Sequence, residues 1–302
     1  MVQEPMKVLR DSLSAFLLAG AVLVVVGLAG PSPVQMSGAE RRENGIRTFR
    51  NTLGMLMVEL PGVSVRAGLD VPRNAQGAGP VIYMSAMETT NAQYRTFLRE
   101  SGYTYGGSAP PREAVANVRE WRGAGALFGD EKPVSVVSWV DAVSFCGWLS
   151  EREGLLYRLP NVAEWQRACR CGDEVGPRDV AALEAEAWCL ENSQGGPHRV
   201  GRALPNEWGL YDMLGNVWEW TNDIVDQGVL DAERAEMVDA GLPKDAVGGL
   251  DGTHAWFCGG GFINSMAGIR CGTRGHYRVD VREPEIGFRI VCVKQEGSEP
   301  RQ

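Results

Sequence analysis

The sequence predicts a mixed fold, with short helices and short strands joined by long loops around a compact core. Three observations predict it. The chain has 302 residues, enough for one large domain or two small ones with a sizeable core. Its apolar share of 44% is that of a globular protein. Its 38 glycines, beside an ordinary aromatic share of 8%, call for many turns. A net charge of −8 argues against a nucleic-acid partner.

In order, residues 1–30 hold Lys7 and Arg10 ahead of an apolar run over 13–29, then Gly30-Pro31-Ser32-Pro33. A positive region, an apolar core and small residues form a secretory signal, and the run also approaches the length of an uncleaved membrane anchor. Either way the domain is expected outside the cytoplasm, touching a membrane only through this segment. Residues 31–50 are polar and without periodicity, and read as a linker. Residues 55–62 and 81–84 are expected strands. Thr90 caps a helix to about Glu100, which Gly102 ends.

Residues 103–132, rich in Gly, Pro and Ala, read as a surface excursion, and 133–137 as a short strand. Ser138 caps a helix in which Ala142, Val143, Cys146 and Leu149 recur at helical spacing, with Gly154 as the stop. Asn161 with Glu164 three residues on makes a capping box for a helix to about Arg170. Residues 172–205 are loop-rich, and an acidic excursion over 222–254 holds one helix near 230–240. Residues 256–262, 268–271 and 286–292 read as late strands that return to pair with the first ones, and 295–302 as a tail.

The densest stretch is 206–220, NEWGLYDMLGNVWEW. Asp212, the carbonyls around Gly215 and Val217, and Glu219 put two carboxylates and a turn within eight residues. Calcium takes about six to eight oxygens in flexible geometry, so a hard-cation cage is one reading. In the other, Asp212 and Glu219 cap turns and meet nearby N–H groups or arginines. The seven cysteines, Cys146, Cys169, Cys171, Cys189, Cys258, Cys271 and Cys292, suit disulfides in an exported chain, with at least one thiol left over.

Eight segments in order resemble one known family: NTLGM (51–55), ETTNAQYRTF (88–97), KPVSVVSWVDAVSFCGWL (132–149), RLPNVAEWQRACR (158–170), GLYDMLGNVWEW (209–220), GGGF (259–262), RCGTR (270–274) and IGFRIV (286–291). This is the formylglycine-generating, sulfatase-modifying-factor domain family, and the resemblance covers about 51–294. It implies a single α+β domain of C-type-lectin-like topology. It also implies calcium held by Asp212, Gly215, Val217 and Glu219, with a second, looser match at Asn192 and Ser193. By the same resemblance Cys169 pairs with Cys271. Cys146 pairs with Cys292, displaced two residues along the last strand from the family position. Cys171, Cys189 and Cys258 are then left for one further bridge and one free thiol.

One departure bears on function. Members of the family that make formylglycine carry two cysteines, five apart, between the glycines and the RC segment, whose thiolates bind copper(I) as soft ligands do. Residues 262–270 here, FINSMAGIR, contain none, so copper is not expected. Met266 offers only one thioether. The three histidines, His198, His254 and His276, lie far apart in the chain. A binding role is therefore expected, for a protein or small-molecule ligand. Its face is on the late loops, 262–270 and 275–285: Phe262, Asn264, Met266, His276, Tyr277, Arg278 and Asp280. The alternative is an oxidase resembling the siderophore-maturation branch, with Glu283 and Glu285 as carboxylates in the same cleft. A copper-dependent formylglycine generator ranks third.

Overall fold

A computed structural model describes residues 40–43, 45–62, 80–104, 129–172, 185–239 and 251–295. The expected signal or anchor, most of the linker, and parts of the two excursions, the loop-rich segment and the tail lie outside these residues. Strands β1 (Arg41–Glu43), β2 (Ile46–Arg50), β3 (Leu56–Glu59) and β4 (Pro80–Ser85) precede helix α1 (Asn91–Ser101). Helix α2 (Trp139–Glu153), β5 (Leu156–Arg158) and α3 (Val162–Cys169) follow. Then come β6 (Ala187–Trp188), β7 (Leu214–Gly215), β8 (Trp218–Ile224), α4 (Gln227–Asp239) and β9 (His254–Cys258). A 3-10 turn (Met266–Gly268), β10 (Arg274–Arg278), β11 (Ile286–Gly287) and β12 (Val291–Gln295) close the fold.

The three expected helix starts are built as reciprocal caps. Thr90, Ser138 and Asn161 each accept from the backbone N–H three residues on, and Gln93, Asp141 and Glu164 reach back to the cap N–H. Gly102 and Gly154 end α1 and α2 in the left-handed conformation.

The strands form a six-stranded sheet in the order β1-β2-β3-β4-β12-β5 and a four-stranded sheet in the order β10-β9-β8-β11. The last strand thus lies between the early β4 and β5, as expected of a returning strand, whereas β9 and β11 pair with β8 instead, and β10 with β9. Both faces of the six-stranded sheet are buried. Met57, Tyr83 and Cys292 face a core with Phe145 and Leu149 of α2, and their neighbours Val58, Ile82, Met84 and Val291 face a second core with Trp165 and Ala168 of α3. That is the period-two alternation of strand side chains.

Four expectations are corrected. The part of the linker at 40–50 is instead a hairpin: Gly45 turns at φ 84°, Phe49 is buried, and Arg47 forks onto Glu59. Residues 133–137 form no strand; an isolated bridge joins Thr90 to Pro133, and Val136 at φ 59° breaks the extended run. Residues 268–271 do not extend: Gly268 ends a 3-10 turn and residues 269–271 form no strand. The late loop at 275–285 begins as strand, because β10 pairs along all five residues with β9.

Candidate functional site

Ahead of β8, the stretch 206–217 folds as turns around the short β7, and polar residues within it satisfy their own backbone. Asn206 accepts from the N–H groups of Trp208 and Leu210 and donates to the Ala168 carbonyl. Asp212 and Asn216 sit at positive φ on either side of Gly215. Gly215 is required there: a Cβ would stand 2.1 Å from the Trp188 carbonyl oxygen.

These turns bring four charged side chains together under the sheet. Glu219 and Arg289 form a fork, Nε to Oε2 at 2.6 Å and Nη2 to Oε1 at 2.7 Å, with side-chain exposures of 1% and 0%. Trp165 Nε1 also donates to Glu219 Oε2, at 2.7 Å. Arg289 donates onward to the carbonyls of Ser85, Ala86 and Tyr211. Asp212 Oδ2 accepts from the Gly201 N–H at 2.6 Å, and Glu88 Oε2 accepts from Asn216 Nδ2 at 3.1 Å. The other two oxygens, Asp212 Oδ1 and Glu88 Oε1, are buried with no hydrogen-bond partner. Burial raises Asp212 to about 6, and it raises Glu88 well above the carboxylate range, helped by the charge of Asp212.

This geometry divides the expected calcium ligands. Glu219 does not fit, because both of its oxygens are held by donors and a cation there would face the guanidinium. Asp212 fits, since one of its oxygens is buried with no hydrogen-bond donor, and Glu88, 124 positions earlier in the sequence, shares that property. The Gly215 N–H donates to Gly259, and Val217 is buried beside it. Asn192 and Ser193 close their own loop: Asn192 accepts from the Cys189 N–H and donates to Ala187, and Ser193 Oγ donates to the Phe262 carbonyl. Among the described residues, no three histidine, cysteine or carboxylate side chains gather as a metal cluster.

The Cys169–Cys271 bridge is formed and closes 102 residues. The expected Cys146–Cys292 bridge is not; both are buried thiols, as are Cys189 and Cys258. Cys292 lies against Tyr157 and Glu153 at the end of α2, whereas Cys146 sits seven residues earlier, about 10 Å along the axis. With Cys189 and Cys258 both thiols, the expected third bridge is absent among the described residues.

The expected binding face splits. Phe262 is wholly buried: its N–H donates to Asn216 and its carbonyl accepts from Ser193. Asn264 turns inward, with Oδ1 on the Gly261 N–H, and Met266 packs partly into the second core. Alternation along β10 sends His276 to one side, onto Glu233 of α4, and Tyr277 to the other. Arg278 and Asp280 form an exposed fork.

On the Tyr277 side lie aromatics that sequence reasoning did not single out. Trp218 meets Phe257 at 5.1 Å between centroids, and Phe257 meets Tyr277 at 5.3 Å. Gly275 allows the Phe257 ring to lie across the strand, since a Cβ would stand 2.6 Å from that ring. Tyr277 is 40% exposed. Glu283 and Glu285 border this strip, each pushed up by burial. Arg282 anchors the loop beneath them through a fork onto Asp141.

With this geometry in view, residues 48–294 match the family described as the sulfatase-modifying factor enzyme 1-like domain. The chain belongs to that family. A formylglycine-generating enzyme from Mus musculus is 27% identical, over 78% of this chain and 74% of its own length. An inactive C-alpha-formylglycine-generating enzyme 2 from Bos taurus is 29% identical, over 55% of this chain and 69% of its own. Among solved structures, PvdO from Pseudomonas aeruginosa superposes with a TM-score of 0.55 at 21% identity, over 81% of this chain and 97% of that one. Treponema denticola variable protein 1 gives 0.53 at 20%, over 85% and 99%. These likenesses show the fold, which is the α+β, C-type-lectin-like one. The sulfatase-modifying-factor match begins inside β2, so the hairpin strand read as linker is part of the domain.

Proposed function

We propose that this sulfatase-modifying-factor domain is an extracytoplasmic binding or accessory module that does not generate formylglycine. The observation that carries this is the cysteine-free segment 262–270. The thiol nearest in sequence, Cys258, is buried and pushed up to about 12, so it stays protonated and is a poor copper ligand or nucleophile. The family also includes a relative named as an inactive enzyme. Binding is supported by the strip Trp218–Phe257–Tyr277, carried on paired strands and open at Tyr277. The Cys169–Cys271 bridge supports a place outside the cytoplasm. Calcium, a hard cation, suits the orphaned oxygens of Asp212 and Glu88, where its role is structural.

A second reading is an oxidase that uses Glu283 and Glu285. The upward shift of both carboxylates by burial, beside an exposed aromatic, favours it. A photo-crosslinking residue placed at Tyr277 tests the binding role against the same residue at Leu204, exposed at 61%. A discrete crosslinked species from position 277 and none from 204 is expected. Identical patterns at the two positions would overturn the assignment.

A further inference from the structure

Two of the three histidines that lie far apart in sequence, His254 and His276, converge on the other side of β9 and β10. His276 Nε2 meets Glu233 Oε2 of α4 at 2.8 Å, and His276 Nδ1 meets His254 Nδ1 at 3.0 Å. His254 is 2% exposed, and its Nε2 has no hydrogen-bond partner. A nitrogen–nitrogen contact at that distance is a hydrogen bond with one donor and one acceptor. With both rings neutral, His276 gives its Nε2–H to Glu233, so its Nδ1 accepts from His254 Nδ1–H. One added proton can be housed on either ring without losing the contact. Two added protons place N–H on both Nδ1 atoms, and two donors then face each other.

Among the described residues, the rest of the docking of α4 is slight. Its apolar footing is Val225 and Leu230, with Met237 and Trp256 only partly buried. The helix has no acidic residue in its first turn and no basic residue in its last to oppose its dipole. Its other charged tie, Arg234 to Asp251, is exposed. We propose that the Glu233–His276–His254 relay is an acid-sensitive latch, which holds α4 against β9 and β10 at neutral pH and releases it when both imidazoles are protonated.

The charges facing the relay come from every side. Glu233 stands on α4, with Arg234 beside it; Asp251 lies in the loop before β9, where its backbone favours a proton on His254 without meeting Nε2 in hydrogen-bond geometry. On β10, Arg278 opposes His254 in register and Arg274 lies over the Trp256 ring at 4.3 Å. Burial first, then the His276 charge, holds His254 below the usual histidine range. For a base lowered in the folded state, the docked form is fully favoured above the unfolded value near 6.5 and loses ground as pH falls through and below it. Release uncovers Trp256 and its apolar neighbours, on the side of the sheet opposite the Tyr277 strip.

Hydrogen exchange of the intact protein tests the latch. After correction for intrinsic rates, amides of 227–239 are expected to exchange about tenfold faster at about pH 5 than at about pH 7.5. Amides of α1 serve as the unaffected reference. His254→Asn keeps an N–H donor at the Nδ1 position but cannot take a proton, so α4 is expected to stay docked at both pH values. His276→Phe removes the contact, and faster exchange is expected already at the higher pH. Wild-type protection that does not change with pH overturns the proposal, as does a His254→Asn variant that opens on acidification like the wild type. Should the variants fail to fold, the wild-type comparison alone still decides.

Discussion

Arg289→Met removes the one guanidinium from a buried cluster that holds Glu219, Glu88 and Asp212. Arg289 and Glu219 have side-chain exposures of 0% and 1%, so neither charge is screened by water. Stranding one partner of such a pair costs about 3–5 kcal/mol. The carbonyls of Ser85, Ala86 and Tyr211 also lose a donor, which puts the expected loss at the upper end of that range. Against a typical total of about 5–15 kcal/mol, the variant stands near the limit of folding. Urea unfolding followed by tryptophan fluorescence reads the loss. The deficit should shrink as pH falls from about 7.5 to about 5, because protonation relieves the stranded carboxylates. The double variant Arg289→Met with Glu219→Leu should recover much of the stability, as apolar replacements of buried pairs often do. A single-variant loss below about 1 kcal/mol, or a deficit equal at both pH values, would refute the reasoning.

Other predictions follow from the same cluster and from the bridge. Burial lifts Asp212 from 3.8 to about 6, so the folded state binds its proton more tightly; stability falls as pH rises through that window, and the penalty is complete above it. Asp212→Asn in chelator at about pH 7.5 should therefore gain on the order of 3 kcal/mol, with no gain below about pH 4. In excess calcium the wild type should gain thermal stability and the variant should not. A wild-type Tm that is the same with calcium and with chelator contradicts the cation assignment. Cys271→Ser opens a loop of 102 residues and should cost about 4 kcal/mol. Reductant should then lower the Tm of the wild type and leave that of the variant unchanged.

The parts of this fold that were legible in sequence are those fixed by neighbours in the chain. The caps at Thr90, Ser138 and Asn161 each complete their bonds within three residues, and the stops at Gly102 and Gly154 need only a left-handed backbone. The β1–β2 hairpin was hidden because it is an edge pair whose polar residues are stabilised from outside, Arg47 by Glu59. Strand β10 was hidden for a similar reason, since its pattern RGHYR alternates between the α4 side and the aromatic strip rather than between core and water.

In the site, the 209–220 motif put Asp212 and Glu219 in one stretch, which folds with Asp212 in a turn and Glu219 on β8, but could not show which partner each would meet. Glu219 finds Arg289 across 70 positions and Asn216 finds Glu88 across 128, contacts that only the closed fold creates. The meeting of His254 and His276 likewise depends on strand register.

The central claim is that this member of the family binds rather than oxidises a cysteine. Its most direct test is oxygen uptake by the purified, copper-loaded protein mixed with a cysteine-containing peptide from a sulfatase. No copper-dependent uptake above that of free copper is expected, and the peptide cysteine should be recovered unchanged in mass. Sustained uptake with conversion of that cysteine to formylglycine would contradict the account.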